Sequence, residues 1–317
     1  MRSLLGENCV DVPRFDEAYS TLPDKSKYKG GGFTVYGLLP DIPSLTAKRA
    51  NWENEIDQYD LILITDIVLL WQTAFRIAHT FPNKKIALLD GSDSTALFPF
   101  ESLARNLKKN AGAFRKSYHQ FIYFKREHFP QESFGTLRKY IPGSLLDGLK
   151  IFPEIHPVAF SIPAEKITKV TSADKTKLFP TQIIDAEIAE KIETVFNPLG
   201  SDQRYFEIEQ KYFKDLQLSK YGITGKRAGW DCMRHYELAA NGSVICFKTL
   251  KDKPATCAPH GLNSSNCIDY NNYEDLMQKI NSIDSNAYEQ YLKQSYYWIE
   301  NNTTVKRAEQ ILSSCFG

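Results

Sequence analysis

Apolar stretches of strand length alternate with amphipathic stretches through the first half of the chain. Three apolar stretches are of the kind that form buried strands, and two amphipathic stretches have helical spacing. The predicted strands are residues 33–39, 61–65 and 85–90, and the predicted helices are residues 47–59 and 68–80. Apolar strands separated by amphipathic helices are typical of a parallel sheet covered on both faces. The pattern therefore predicts an α/β unit here.

A Gly-Gly-Gly triplet at 30–32 stands before the first of these strands rather than after it. A phosphate-binding loop follows a strand and opens a helix. We therefore interpret the triplet as a flexible entry to the strand 33–39 and predict no phosphate site there.

The alternation is interrupted between residues 125 and 180 and then resumes. Six prolines lie in the interruption, namely Pro130, Pro142, Pro153, Pro157, Pro163 and Pro180. The remaining predicted helices are residues 101–108, 184–195, 204–216, 232–240 and 273–281, with one or two more within 286–314; the remaining strands are 120–124, 243–247 and 266–270. We expect two Rossmann-like domains, residues 1–160 and 161–317, that face each other across a cleft. The carboxyl-terminal helix is expected to return to the first domain.

Length and charge narrow the class of protein. A chain of 317 residues fits two domains of about 150 residues each. Lys and Arg number 39 against 38 Asp and Glu, which leaves a net charge of +1. This balance argues against a broad nucleic-acid binder, because such a protein needs a basic face to displace counterions from phosphate. Hydrophobic residues at 42% and aromatic residues at 13% suffice for a sizeable core, so disorder is excluded.

Membrane segments and disulfides are not indicated. No apolar run approaches the roughly 18 residues that span a bilayer, and the amino terminus lacks the long apolar region of a secretory signal. We expect a cytoplasmic protein and leave open a peripheral contact with the inner face of the membrane. The six cysteines form no Cys-x-x-Cys pair, which favours reduced thiols and argues against a zinc site at Cys257, His260 and Cys267.

The densest cluster of chemically active residues lies between 225 and 242. A basic turn, Gly-Lys-Arg-Ala-Gly at 225–229, precedes a short helix that Asn-Gly at 241–242 ends. We expect Asp231 to cap the start of that helix. Backbone N–H groups and the positive end of the helix dipole bind phosphate oxygens, and Lys226 and Arg227 add charge. The segment therefore predicts a site for a diphosphate.

Asp231, Arg234 and Glu237 recur every third residue and are expected to share one helix face. One interpretation is a ligand-facing stripe in which Arg234 binds phosphate and Glu237 accepts hydrogen bonds from sugar hydroxyls. The alternative is a solvated row of ion pairs worth about 0.2–0.5 kcal/mol each. We favour the first because a basic turn precedes the helix and an apolar strand follows it.

Residues 229–242 have the pattern G-W-D-C-x-R-H-Y-E-x-x-A-N-G. The pattern resembles the donor-site segment of bacterial glycosyltransferases with the GT-B fold, including exostosin-like members, in which a Glu lies on a helix that starts beside the donor phosphates. The resemblance implies that Glu237 contacts the donor's sugar and that cationic side chains bind its phosphates. The donor-binding residues that it implies are Lys226, Arg227, Gly229, Trp230, Asp231, Arg234, Glu237 and Asn241.

Two further segments follow apolar strands. Asp-Gly-Ser-Asp at 90–93 lies at the carboxyl end of the strand 85–90, where a general base would face a cleft; the alternative is an acidic turn. Tyr-Phe-Lys-Arg-Glu at 123–127 resembles a segment of the same group, and its cations could meet phosphate or an acidic acceptor; the alternative is an exposed charge cluster. The predicted acceptor- or phosphate-binding residues are Asp90, Lys125, Arg126 and Glu127. The candidate catalytic bases are Asp93 and His235.

The resemblance implies metal-independent transfer of a sugar, without a cofactor, from an activated diphosphate donor to a hydroxyl of a saccharide acceptor. A nucleotide sugar is the donor it implies, and synthesis of a surface polysaccharide or glycan is the setting. Two alternatives stay open. One is a phosphoribosyl diphosphate-dependent transferase of the same fold, in which Lys125 and Arg126 reach a 5-phosphate. The other is a carbohydrate- or nucleotide-binding module without catalytic activity.

Overall fold

A computed structural model describes residues 1–21, 24–28, 32–100, 116–148, 150–196 and 206–317. The helices of these residues are α1 (Arg2–Leu5), α2 (Leu45–Asn51), α3 (Ile67–Thr80), α4 (Gly143–Asp147), α5 (Ala186–Lys191), α6 (Glu209–Gln217), α7 (Met233–Ala240), α8 (Tyr273–Asn281), α9 (Ser285–Glu300) and α10 (Thr304–Phe316). The strands are β1 (Leu61–Ile64), β2 (Lys85–Asp90), β3 (Ile122–Lys125), β4 (Ile155–Pro157), β5 (Gln182–Ile183), β6 (Val195–Phe196), β7 (Tyr221–Gly225), β8 (Val244–Lys248) and β9 (Cys267–Tyr270).

The first sheet has the order β1-β2-β3-β4, and all of its strands are parallel. Successive side chains of a strand point to opposite faces, so each strand contributes to two cores. Leu88 of β2 packs with Phe75 of α3 on one face. Ala87 of the same strand packs with Ile311 and Cys315 of α10 on the other. The carboxyl-terminal helix therefore returns to the first sheet, as predicted.

The second large sheet is also parallel and has the order β7-β8-β9. Its three strands lie in the largest hydrophobic core of the molecule, together with residues of α5 to α9. Helix α7 approaches β7 closely, because a Cβ on Gly222 would lie 2.3 Å from Cδ2 of Leu238. Strands β5 and β6 form a separate parallel pair. These pairings confirm the predicted α/β class with parallel sheets.

The predicted strand 33–39 is wrong, because residues in it and beside it have left-handed backbone. The φ angles of Gly32, Thr34 and Gly37 are +69°, +65° and +64°, whereas a strand needs negative φ throughout. The segment's one described pairing is a bridge between Tyr19 and Leu39. The predicted flexible entry at 30–32 lies mostly outside the described residues.

Other element boundaries also differ from the predictions. The predicted helix 47–59 ends early at Asn51, and the predicted helix 184–195 shortens to α5, after which β6 begins. The strand β7 was not predicted. The predicted helix 101–108 and the start of 204–216 lie outside the described residues. Among the residues described, every helix falls short of the length and apolar character that crossing a bilayer demands.

The division into domains at residue 160 stays a prediction. Segments from both halves do touch, since α10 packs on the first sheet and Nη1 of Arg126 donates to the carbonyl of Asp231 at 2.7 Å. All six cysteines are described and are free thiols.

Candidate functional site

The basic turn leaves β7 at its carboxyl end and is closed by one backbone hydrogen bond. The N–H of Arg227 donates to the carbonyl of Gly229 at 2.8 Å. Trp230 anchors the turn, because its ring stacks on Phe247 of β8 with 6.2 Å between centroids. The exposed ammonium of Lys226 lies 5.0 Å from the centroid of the same ring. Partial burial lowers the pKa of Arg227, and a guanidinium keeps its charge in proteins.

Asp231 does not cap α7, contrary to the prediction. The cap position belongs to Cys232, whose side chain makes no capping hydrogen bond. The buried carboxylate of Asp231 instead accepts from the N–H of Phe160 at 2.8 Å and from the hydroxyl of Tyr236 at 3.0 Å. Burial raises its pKa. Asp231 therefore lies before the helix and outside the predicted stripe, where it joins α7 to the segment around residue 160.

His235 lies in the core, which removes it from the candidate bases. Its side chain is fully buried, and both ring nitrogens have partners: Nε2 lies 2.9 Å from the carbonyl of Trp230 and Nδ1 lies 3.0 Å from Oγ1 of Thr224. Burial lowers its pKa. A neutral imidazole enclosed in this way cannot meet an acceptor hydroxyl, so we assign His235 a packing role against Phe247.

Asn241 is likewise a structural residue rather than a donor ligand. It ends α7 and is fully buried. Its Nδ2 donates to the carbonyl of Glu237 at 3.0 Å, and its Oδ1 accepts from Nε2 of Gln217 at 3.0 Å. Because both Nδ2 and Oδ1 already have protein partners, the side chain stabilises the end of the helix and is not directed at a ligand.

Arg234 and Glu237 lie one turn apart on α7 and are both partly exposed. Nη1 of Arg234 makes one long hydrogen bond, 3.3 Å to the carbonyl of Gln182. The carboxylate of Glu237 accepts from Oγ1 of Thr34 at 2.6 Å and from the hydroxyl of Tyr212 at 2.8 Å. Burial, with the charge of Glu237 adding to it, raises the pKa of Tyr212 well above its usual value. The roles of Arg234 and Glu237 toward a donor stay predictions.

Asp90 and Lys125 form a buried ion pair at the carboxyl edge of the first sheet. Residues Asp90 and Lys125 are opposite each other in the register of β2 and β3, and Nζ of Lys125 lies 2.9 Å from Oδ1 of Asp90. The side chains are 0% and 2% exposed for Lys125 and Asp90. The hydroxyl of Tyr123 donates to Oδ2 of Asp90 at 2.6 Å. The prediction that these two residues bind acceptor or phosphate is therefore corrected: neither is accessible.

Arg126 joins the two halves of the molecule. Its Nε and Nη2 donate to the carbonyl of Gly91 at 3.1 and 2.9 Å, and its Nη1 donates to the carbonyl of Asp231 at 2.7 Å. The guanidinium also pairs with Asp93 and lies over the ring of Phe160. A guanidinium whose donors are used in this way positions the protein backbone, so we withdraw the prediction that Arg126 binds phosphate.

Glu127 and Gly229 bring the predicted acceptor and donor segments into contact. Oε1 of the buried Glu127 accepts from the N–H of Asp231 at 2.9 Å, while its Oε2 has no hydrogen-bond partner. A Cβ on Gly229 would lie 2.5 Å from Oε1 of Glu127 and 2.9 Å from Oδ1 of Asp93. The carboxylate of Asp93 is 49% exposed. The structure thus places Asp93, Glu127, Gly229 and Asp231 together.

Two residues that the sequence did not single out contact the site. Thr34 and Tyr212 both donate to Glu237, although Thr34 is 203 positions away in sequence. Glycines at 32 and 37 on either side of Thr34 are the signal of a left-handed turn, but they do not indicate which residue the turn meets. Among the described residues, no group of three or more His, Cys, Asp or Glu is arranged to hold a metal ion.

The chain matches no protein-family model and no curated protein. Among solved structures it is similar to a glycosyltransferase from Rickettsia africae, with 11% identity, 86% of this chain and 81% of the other covered, and a TM-score of 0.49. It is also similar to sucrose-phosphate synthase from Thermosynechococcus elongatus (10% identity, 87% and 80% covered, TM-score 0.47). A third is HepE from Anabaena in complex with UDP and glucose (10% identity, 86% and 80% covered, TM-score 0.42). These are distant likenesses of fold and assign no substrate to this chain.

Proposed function

We propose that this protein is a glycosyltransferase that binds a nucleotide-sugar donor at the turn 226–229 and along the Arg234–Glu237 face of α7. One observation carries the proposal: the loop after β2 and the residues after β3 touch the turn after β7, at Gly229. In open α/β sheets, ligands bind beyond the carboxyl ends of the strands. The carboxyl edges of two sheets meet here, and a transferase must bind its donor beside its acceptor.

The charges of the turn suit the donor diphosphate. Lys226 and Arg227 stand where the chain enters α7, and the start of a helix adds a positive partial charge. The leaving diphosphate gains negative charge as the sugar departs, so fixed cations at this place stabilise the transition state more than the ground state. In this proposal the chain's own cations serve this purpose and no metal is required.

Glu237 and Asp93 take the two remaining roles. The carboxylate of Glu237 is partly exposed and suits the hydroxyls of a ribose or sugar, because an ionised carboxylate only accepts hydrogen bonds. Asp93 is the base that we propose for the acceptor hydroxyl, since it is half exposed beside Gly229 and Arg126 fixes its orientation. The acceptor that we propose is a saccharide of a surface polysaccharide or glycan.

The residues at the carboxyl end of the first sheet do not support the phosphoribosyl diphosphate alternative. It relied on Lys125 and Arg126 for a 5-phosphate. Lys125 is buried against Asp90, and Arg126 is committed to the backbone of Gly91 and Asp231. Binding of a nucleotide sugar at the proposed site does not require contact with either of these two cations.

Titration calorimetry with UDP-glucose, dTDP-glucose, GDP-mannose and phosphoribosyl diphosphate tests the proposal. We expect a nucleotide sugar to bind. The Lys226→Met/Arg227→Gln double variant should weaken that binding by about tenfold or more, because charge-assisted contacts to phosphate are worth about 1.5–3 kcal/mol. Lys293→Met removes an exposed lysine of α9 and is the matched control. Unchanged affinity in the double variant, or tight binding of phosphoribosyl diphosphate alone, contradicts the proposal.

A further inference from the structure

Residues 32–37, which we call the 32–37 segment, lie against the carboxylate to which we assign the donor's hydroxyls. Thr34 is 2% exposed and is held at two points. Its Oγ1 donates to Oε1 of Glu237 at 2.6 Å, and its backbone N–H donates to Oε1 of Glu209 at 2.6 Å. The two anchors are carboxylates of different helices, α6 and α7. A stretch from the first part of the chain is thus fixed onto the second.

The backbone of this segment is strained at Thr34. A φ of +65° is uncommon for any residue with a side chain and is a clear outlier for a β-branched one. Such conformations persist only where the surrounding contacts determine them, and they concentrate at binding sites and switch regions. The contacts that hold this one are the two carboxylates and the ring of Phe33, which stacks on Tyr212 with 6.1 Å between centroids.

The carboxylates of Glu209 and Glu237 differ in their other partners. Glu209 is neutralised by Lys166, whose Nζ lies 2.8 Å from Oε2 of Glu209. Glu237 has no cation within ion-pair distance among the described residues and accepts from two hydroxyls, those of Thr34 and Tyr212. A neutral hydroxyl of a ligand can replace the hydroxyl of Thr34 on Glu237 without loss of charge balance. The Thr34–Glu237 contact is therefore the exchangeable one.

We propose that the 32–37 segment is an occluding strap: in the absence of donor it covers Glu237, and a donor hydroxyl displaces Thr34 from that carboxylate. This inference rests on the proposed function, because it concerns the regulation of the same site. Each oxygen of Glu237 already accepts one hydrogen bond from the protein. A donor hydroxyl that binds Oε1 from the side of Thr34 replaces this contact, and the strain at Thr34 helps the segment to leave.

Variants at the two anchors separate the strap from the donor site. Thr34→Val keeps the shape and the β-branch of the side chain but cannot donate to Glu237. Thr34→Ser keeps the hydroxyl and is the matched control. Glu209→Gln weakens the other anchor without touching Glu237. Circular dichroism and thermal unfolding establish that each variant is folded.

Calorimetry with UDP-glucose, dTDP-glucose and GDP-mannose measures the donor affinity of the wild type and the three variants. We expect Thr34→Val to bind its best donor about tenfold more tightly than the wild type, which is the low end of what a hydrogen bond to a charged group contributes. Glu209→Gln should tighten binding several-fold, and Thr34→Ser should stay within about twofold of the wild type.

Hydrogen exchange of peptides that cover residues 32–39 gives a second readout. Donor binding should speed exchange there in the wild type, because the segment loses one of its two anchors when a donor hydroxyl displaces Thr34 from Glu237.

The outcomes distinguish the two proposals. Donor binding that is equal or weaker in Thr34→Val, or exchange at 32–39 that slows when donor binds, overturns the strap and leaves the donor site standing. No binding of any of the three nucleotide sugars by all four proteins overturns the proposed function, and the strap with it. Tighter binding by Thr34→Val and Glu209→Gln but not Thr34→Ser, with faster exchange, supports the strap.

Discussion

A Lys-Arg pair lies near the carboxyl end of a parallel strand at two places in this molecule, and the two pairs differ in burial. Lys125, the last residue of β3, and Arg126 are 0% and 4% exposed and are matched by carboxylates. After β7, Lys226 is exposed over Trp230, and Arg227 is partly buried in the turn. The same two residue types near the carboxyl ends of two strands are thus buried and ion-paired in one sheet, whereas in the other Lys226 stays exposed.

The neighbours of each strand explain the difference. β3 lies between β2 and β4, and the register sets Asp90 directly opposite Lys125. Among the described residues, β7 stands at the end of the order β7-β8-β9, and its last residue, Gly225, faces Lys248 of β8 rather than a carboxylate. A cation beside an interior strand has to be paired before it can be buried. A cation beside an edge strand keeps its water and stays available.

The largest difference in stability should appear when the buried Lys125 and the exposed Lys226 are each replaced. Lys125→Met leaves Asp90 buried without its counter-ion, so we expect unfolding free energy to fall by about 3–5 kcal/mol. Lys226→Met removes an exposed ammonium above a ring and should cost about 0.5–1 kcal/mol. Urea unfolding followed by circular dichroism measures both. Equal losses in the two variants would remove the distinction between the sheets. In the Asp90→Asn/Lys125→Met variant, recovery of part of the loss would show that the pair itself is responsible.

A middle-sized effect should come from the contact between the two edges. Gly229→Ala places a Cβ 2.5 Å from Oε1 of Glu127, and overpacking of this kind costs about 1–3 kcal/mol. Gly91→Ala is the matched control, because nothing lies within 4 Å of its Cβ position. We expect the control to stay within about 0.5 kcal/mol of the wild type. A Gly229→Ala protein of wild-type stability would mean that the edges do not touch.

A third effect depends on pH and concerns His260, whose charged neighbours are Lys253 and Arg307. Burial, followed by the charges of Lys253 and Arg307, lowers the pKa of His260 to about 4 from 6.5. Between these two pH values His260 is protonated in the unfolded chain but not in the folded chain. The contribution of His260 is therefore complete above pH 6.5 and is lost as pH falls toward 4.

Urea unfolding of the wild type and His260→Gln at pH 7 and pH 4.5 measures this contribution. The variant should lose less stability on acidification than the wild type. A parallel loss in both proteins would show that other groups, such as the buried His235, account for the acid sensitivity.

Local patterns predicted most of the elements because apolar spacing reports directly on burial. The predicted strand 85–90 and helix 273–281 agree with β2 and α8 to the residue. The spacing failed at 33–39, where apolar residues alternate as in a strand but Thr34 has positive φ. It also missed β7, whose sequence Tyr-Gly-Ile-Thr-Gly contains two glycines, although every residue of it is buried.

The candidate site could be predicted only in part. The rule that ligands bind at carboxyl ends of strands located the residues after β2 and β3, and the glycines and cations of residues 225–229 located the turn after β7. The structure brings these segments together at Gly229. The burial of Lys125 required the register against Asp90, and the contact of Thr34 with Glu237 required the tertiary fold. Neither can be obtained from spacing along the chain.

The last helix has a consequence for how the protein is made. Ile311 and Cys315 close one face of a sheet whose strands lie among residues 61–157. While the ribosome is still adding residues, that face remains open to water, and Ala87 and Phe124 have no cover. The first sheet can complete its packing only after α10 has been synthesised and has left the ribosome.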